Sequence, residues 1–286
     1  MTLTFARHGH DWPNRDASRF VDAAGLSWHV QVMGAGPVLL LLHGTGASTH
    51  SWRDVLPLLA QRFTVIAPDL PGHAFTEMPP RHRLALPAQA AALGELVRAL
   101  GVEVSAVAGH SAGAAIALRM ALDRHIAPSA IVSLCGALMP FPGAAAALFP
   151  ALAKVLFLNP LAAPFLARMA RGRAAVERLL AGTGSSIDAR GIDLYARLFA
   201  DAGHVGATIG MMAHWDLVPL RRDLPALAAA LTLVAAANDS AVPPSVADAA
   251  HALVAHSRVI RVKGGHLFHE ESPHDAARVI MEATAA

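Results

Sequence analysis

A serine hydroxyl becomes a useful nucleophile when a base takes its proton and the backbone holds it clear of its neighbours. The stretch VAGHSAGAA, residues 107–115, offers such a setting, because it contains G-x-S-x-G as Gly109-His110-Ser111-Ala112-Gly113. That pattern suits a sharp strand-to-helix turn that raises the hydroxyl above the strand end. Side chains at 109 and 113 would collide with the packed turn, which is why glycine stands at both. The base is expected on a later loop and the acid between serine and base. Asp239 in AAANDSAVPP follows the apolar run LTLVAAA, and His266 in VKGGHLFHEESP follows RVIRV. Both fall at the carboxyl ends of expected strands, where sites form in sheets of this type. His269 competes with His266, and Asp216 in AHWDL competes with Asp239; the tight Gly-Gly before His266 favours His266 as the base, and Asp239 is the favoured acid.

A tetrahedral intermediate needs two N–H donors. Ala112, after the nucleophile, and Thr45, in the HGTG loop that follows VLLLL, are the expected pair. His43 should brace that loop. The candidate pocket residues are His43, His110, Met139, Phe141, Phe157, Met212, Trp215 and Leu267. HLFHEE is neither H-E-x-x-H nor H-x-x-E-H, and the scattered acids give no oxygen cage for magnesium. Neither a metal nor a cofactor is expected.

These residues need a scaffold. Two strands are expected within 19–33 around Ala24-Gly25, then VLLLL (38–42), FTVIAPD (63–69), VSAVAG (104–109), SAIVSLCG (129–136), LTLVAAAND (231–239) and SRVIRVKGG (257–265). Helical stretches near 49–60, 87–100, 111–124, 244–255 and 274–284 alternate with them. Such alternation predicts an α/β fold with a mostly parallel central sheet and helices on both faces. Residues 137–224 break the pattern, being helical and Pro-interrupted, and read as a helical cap inserted into a core formed by 19–136 and 225–286.

The chain has 286 residues, 54% of them apolar and 15% charged, with a net charge of +2. Disorder is excluded by that composition, and so is a nucleic-acid binder working by bulk charge. Cys135 is the single cysteine and sits in an apolar run, so a buried thiol in a reducing, cytoplasmic setting is expected. Ile126–Ala153 carries no formal charge, but prolines interrupt it, so contact with a membrane surface is a better reading than a span. Cap residues Lys154, Arg168, Arg171, Arg173 and Arg178 could form a basic rim or a solvated face.

HGTG (43–46), APDLPGH (67–73), GHSAG (109–113), NDSAVP (238–243) and GGHLFHEESP (264–273) together resemble the cap-bearing branch of the α/β-hydrolase family, from about Ser27 to the C-terminus. The resemblance implies Ser111, Asp239 and His266 as a triad. Serine at the turn departs from the epoxide hydrolase and haloalkane dehalogenase branches, which place Asp there. DWPNRDASRFV and the WHVQVMGAGPV that follows are also similar to magnesium chelatase accessory proteins of bacteriochlorophyll biosynthesis. FARHGHDWPN (5–14) resembles the start of histidine phosphatases, yet the sheet pattern accounts for the rest of the chain. Residues 1–18 then form an N-terminal extension with His8 and His10 at the surface.

Two functional readings follow. One is a serine hydrolase cleaving an ester of an apolar substrate, which the second resemblance extends to a tetrapyrrole such as protoporphyrin or Mg-protoporphyrin. The other is a non-catalytic accessory protein that binds a porphyrin or magnesium chelatase subunits.

Overall fold

The computed structural model describes residues 3–140, 145–170 and 172–284, without the side chains of 145–151. Phe141 lies outside the described residues. β1 (Ser18–Ala23) and β2 (Leu26–Met33) form an antiparallel hairpin closed by Ala24 and Gly25, at φ 54° and 72°. β3 (Val38–Leu42), β4 (Thr64–Pro68), β5 (Val104–His110), β6 (Ala130–Leu134), β7 (Ala230–Ala236) and β8 (Ser257–Val262) complete one sheet. Its order is β1-β2-β4-β3-β5-β6-β7-β8. β2 meets β4 antiparallel, and every pair from β4 to β8 is parallel.

Strand alternation builds two cores. Leu40, Leu42, Val107 and Ile131 face the helices Leu86–Ala99 and Ala112–Leu122, while Leu39, Leu41, Ala108 and Val132 face Trp52, Leu56 and the helix Pro273–Thr284. Burial on both faces explains why the central strands read as unbroken apolar runs. The single helix expected near 49–60 is instead a short 3-10 turn, Thr49–Trp52, capped by Ser48, followed by the helix Val55–Leu59.

Between β6 and β7 the described chain is helical: Ala145–Leu158, Ala162–Met169, Arg173–Ala181, Ala189–Phe199, Ala202–Ala213 and Val218–Asp223. Leu156, Phe157, Ala163 and Leu166 of the first two pack on Val205 and Ile209 of Ala202–Ala213.

The N-terminal extension packs on the rest of the chain through its described residues. Trp12 is 2% exposed, packs with Phe75, Leu194 and Leu198, and donates its indole N–H to Thr49 Oγ1 at 3.1 Å. Gln31 Nε2 donates to the Pro13 carbonyl at 2.6 Å, and Arg197 grips both oxygens of Asp11 at 2.7 Å. An aromatic side chain with one polar tip was available at Trp12, and burial with a single hydrogen-bond acceptor satisfies it. His10 is exposed; His8 is half-buried and bonds the carbonyl of Thr4. No single described helix is long and apolar enough to cross a membrane.

Candidate functional site

β5 runs straight into the helix Ala112–Leu122, and Ser111 makes the bend at φ 51°, ψ −116°. A non-glycine residue is strained there. The bend is held by Ser111 N–H donating to the Leu134 carbonyl at 3.0 Å. A side chain at Gly109 would meet Ala114 N at 2.5 Å, and one at Gly113 would strike the Leu42 carbonyl. The two glycines therefore permit the turn, as the motif requires.

Asp239 and His266 are brought together at the ends of β7 and β8. Nδ1–H of His266 donates to Asp239 Oδ2 at 2.8 Å, and both residues are buried. Asp239 Oδ1 accepts from the N–H groups of Ala241 and Val242 at 2.9 and 2.8 Å. Every strong interaction of the carboxylate thus fixes its orientation and leaves Nε2 of His266 as the lone-pair nitrogen. Ser111 Oγ makes no hydrogen bond to a described residue. His266 is tied to the turn through the preceding residue: His110 Nε2–H donates to the His266 carbonyl at 2.9 Å, with the two rings 4.7 Å apart. Asp216 is exposed and accepts from Val218 N–H, away from this pairing. His269 is buried between Trp52 and His110, with ring centroids 4.6 and 4.4 Å away and neither nitrogen bonded.

The HGTG loop packs against the turn: a side chain at Gly44 would meet His110 Nδ1 at 2.8 Å and Ser111 Cβ at 3.1 Å. Among the described residues, the N–H groups of Thr45 and Ala112 have no acceptor. Thr45 Oγ1 donates to the sulfur of Met211 at 3.4 Å. His43 is wholly buried: Nδ1–H donates to the Gly44 carbonyl and Nε2 accepts from Leu70 N–H, both at 2.8 Å. It braces the loop with both nitrogens engaged, so it presents nothing to a substrate. Burial holds its pKa down to about 3, with His73 adding to the effect. Burial likewise pushes His110 well below its ordinary value and His269 to about 3. These rings are neutral at physiological pH.

The other pocket candidates scatter. Met212 is 44% exposed, while its neighbour Met211 is fully buried against the loop; adjacent helical positions lie about 100° apart, so only one can face the site. Leu267 is buried against Ala47, Val176 and Tyr195. Met139 and Trp215 are half-buried on the core beneath the helix Ala112–Leu122. Phe157 packs over Gly210 and His214, with Arg81 5.0 Å above its ring.

Three features escaped the sequence. Cys135, at φ 48°, places its sulfur within 4.8 Å of both the Asp239 carboxylate and a His266 ring nitrogen. Burial and then the Asp239 charge push its thiol well up, so it stays protonated, although thiolate, carboxylate and imidazole are donor types that zinc takes. Second, Glu270 accepts from buried Arg53 and from Tyr195 Oη at 2.8 Å, and Arg53 reaches Asp188 at 2.9 Å. Burial outweighs Arg53 and raises Glu270 to about 7. Third, the Thr183 carbonyl accepts from the N–H groups of Ser240 and His266 at 3.2 and 3.3 Å, while Ser185 Oγ accepts from Leu267 N–H at 2.9 Å. All three join positions far apart in the chain, for which residue spacing carries no signal.

The family model described as alpha/beta hydrolase fold matches residues 37–273. The chain is 40% identical over 274 residues to the magnesium-chelatase 30 kDa subunit of Rhodobacter capsulatus, covering 95% of this chain and 96% of that one. Among solved structures it is similar to the epoxide hydrolase CorEH, with TM-score 0.78 and 24% identity over 94% of this chain and 98% of that one. It is also similar to a serine hydrolase of carbazole degradation, CarC, with TM-score 0.76 and 21% identity over 94% and 98%. At those identities the two structures share the fold.

Proposed function

Because this chain belongs to the alpha/beta hydrolase fold family, we propose that it is a serine hydrolase cleaving an ester or related bond of an apolar substrate. The reading is carried by the hydrogen bond from His266 to Asp239, 2.8 Å long, with the acid's second oxygen held by two backbone N–H groups. Ser111 Oγ attacks the carbonyl carbon as Nε2 of His266 takes its proton. The oxyanion is held by the N–H groups of Thr45 and Ala112. Nε2–H then protonates the leaving oxygen, and water repeats the sequence to free the acid. Asp239 keeps the imidazole in the right tautomer and stabilises its charged form. The Ser111–His266 bond forms when substrate orders the site, as catalytic contacts in free enzymes commonly do.

The relative named as a magnesium-chelatase subunit supports a tetrapyrrole ester as substrate, in bacteriochlorophyll biosynthesis. The same relative favours a second reading: a non-catalytic protein that holds protoporphyrin or Mg-protoporphyrin for chelatase subunits. The unbonded Ser111 hydroxyl is compatible with it.

A fluorophosphonate probe separates the two. The hydrolase reading expects covalent labelling of the native chain, lost in Ser111→Ala. Absence of labelling, together with a saturable absorbance change on adding Mg-protoporphyrin, would establish the binding protein instead.

A further inference from the structure

A surface helix normally turns an apolar stripe inward and a polar face outward. The two helical segments Leu152–Leu158 and Ala162–Met169 do not. Their inner faces are already used, through Leu156, Phe157, Ala163, Leu166 and Ala167 on Val205 and Ile209. Their outer faces carry Leu152, Val155, Leu158, Leu161, Phe165 and Met169, each between 53% and 72% exposed. Six large apolar side chains grouped on one side of a protein mark a surface that meets a partner.

Charge selects the partner. Lys154 and Arg168 stand exposed on the same faces, and no Asp or Glu occurs from residue 124 to residue 176. A second copy of the chain would bring the same cations to the interface and repel. A layer with anionic headgroups and an apolar interior complements both components. Shape agrees as well. The segments meet at 105° across the turn Asn159–Leu161, and so sharp a bend suits a wedge resting in an interface.

We propose that this outer face is the surface by which the protein lies on an anionic lipid bilayer, with the six apolar side chains at the acyl boundary and Lys154 and Arg168 at the phosphates. Behind it lies a cavity of about 280 Å³ lined by Met78, Leu156, Phe157, Pro160, Gly206 and Ile209. The helix Ala202–Ala213, against which both segments rest, reaches the HGTG loop through Met211 and through His204, whose Nε2–H donates to the Gly46 carbonyl at 3.0 Å. The face is thus one helix away from the candidate site. The proposal rests on exposed residues and requires no catalysis, so it survives if Ser111 proves inert.

Vesicle flotation of the full chain is the test, using phosphatidylcholine with and without phosphatidylglycerol. The native protein should float with the anionic vesicles, and added salt should weaken it. Leu158→Asp with Phe165→Asp should lower partitioning by about a hundredfold or more, on the order of what burying two such side chains is worth. Lys154→Glu with Arg168→Glu should lower it by about fivefold per charge and remove the salt dependence. Thermal melting of each variant should match the native chain, since the substituted atoms face outward. Failure of the native protein to float with phosphatidylglycerol vesicles would overturn the proposal. So would equal flotation of the variants, or a dimer in sedimentation that the Asp substitutions dissociate, which would assign the face to a second copy.

Discussion

Cys135 and Asp239 face each other in the interior, with Sγ and the carboxylate no more than 4.8 Å apart and His266 the third member of the group. The thiol sits beside the carboxylate that accepts from the His266 ring. A neutral S–H is a weak donor to that carboxylate, so Cys135→Ala should leave fluorophosphonate labelling within about tenfold of native. Iodoacetamide should modify the native thiol only after unfolding, because the reactive thiolate is suppressed by burial. Mass spectrometry with and without urea checks this.

Removing the acid should cost far more. Asp239→Asn keeps the shape but favours the wrong tautomer of His266, with an expected drop of about 10⁴-fold in turnover or labelling rate. Asp216→Asn, exposed and bonded only to its own turn, should have no effect. Stopped-time labelling of the two variants decides between the acids.

His269 offers a contrast with His266. Both of its nitrogens are buried without partners, so His269→Phe removes an unsatisfied polar ring and keeps the ring contact with Trp52. It should be neutral or stabilising, whereas His266→Phe abolishes labelling. Thermal melts and probe reactivity together test the pair.

Acid should destabilise the fold. His43, His73 and His269 are held down to about 3 and His204 to about 4, with burial the largest cause in each. The unfolded chain takes up these protons near pH 6.5, so it binds more protons than the folded chain between those values. Stability is therefore complete above about pH 6.5 and falls as pH drops, by about 1.4 kcal/mol per histidine per pH unit. Urea midpoints measured from pH 7 to pH 5 should decline steadily, and His269→Phe should flatten the decline.

The N-terminal segment should prove integral. Trp12→Ala leaves a cavity beside Phe75 and Leu198 and an unpaired Thr49 hydroxyl, at a cost of about 3–5 kcal/mol. A chain lacking residues 1–17 should melt at a much lower temperature than the native one.

The sheet was legible because central strands buried on both faces must be almost continuously apolar, as VLLLL is and as AIVSL is but for Ser133. The bend at Ser111 was legible because two glycines and a small helix start are required within five residues. Asp239 and His266 could be placed because both follow strands directly. Met211 and Met212 could not be told apart without the rotation of their helix. The burial of Trp12 could not be read, because its partners, Phe75 and Leu198, come from segments far along the chain. Cys135 gave no sign of its neighbours for the same reason.

Thr183 has a mechanical meaning beyond its two hydrogen bonds. It belongs to the inserted helical region, yet it is fastened to the loops of both Asp239 and His266. Glu271 adds to the fastening by accepting from Ser186 N–H at 2.6 Å and from Gly265 N–H at 2.7 Å. Any displacement of this stretch would pull on the loops of Asp239 and His266 together. Residues 182–186 are thus a clasp that ties the helical insertion to the loops after β7 and β8.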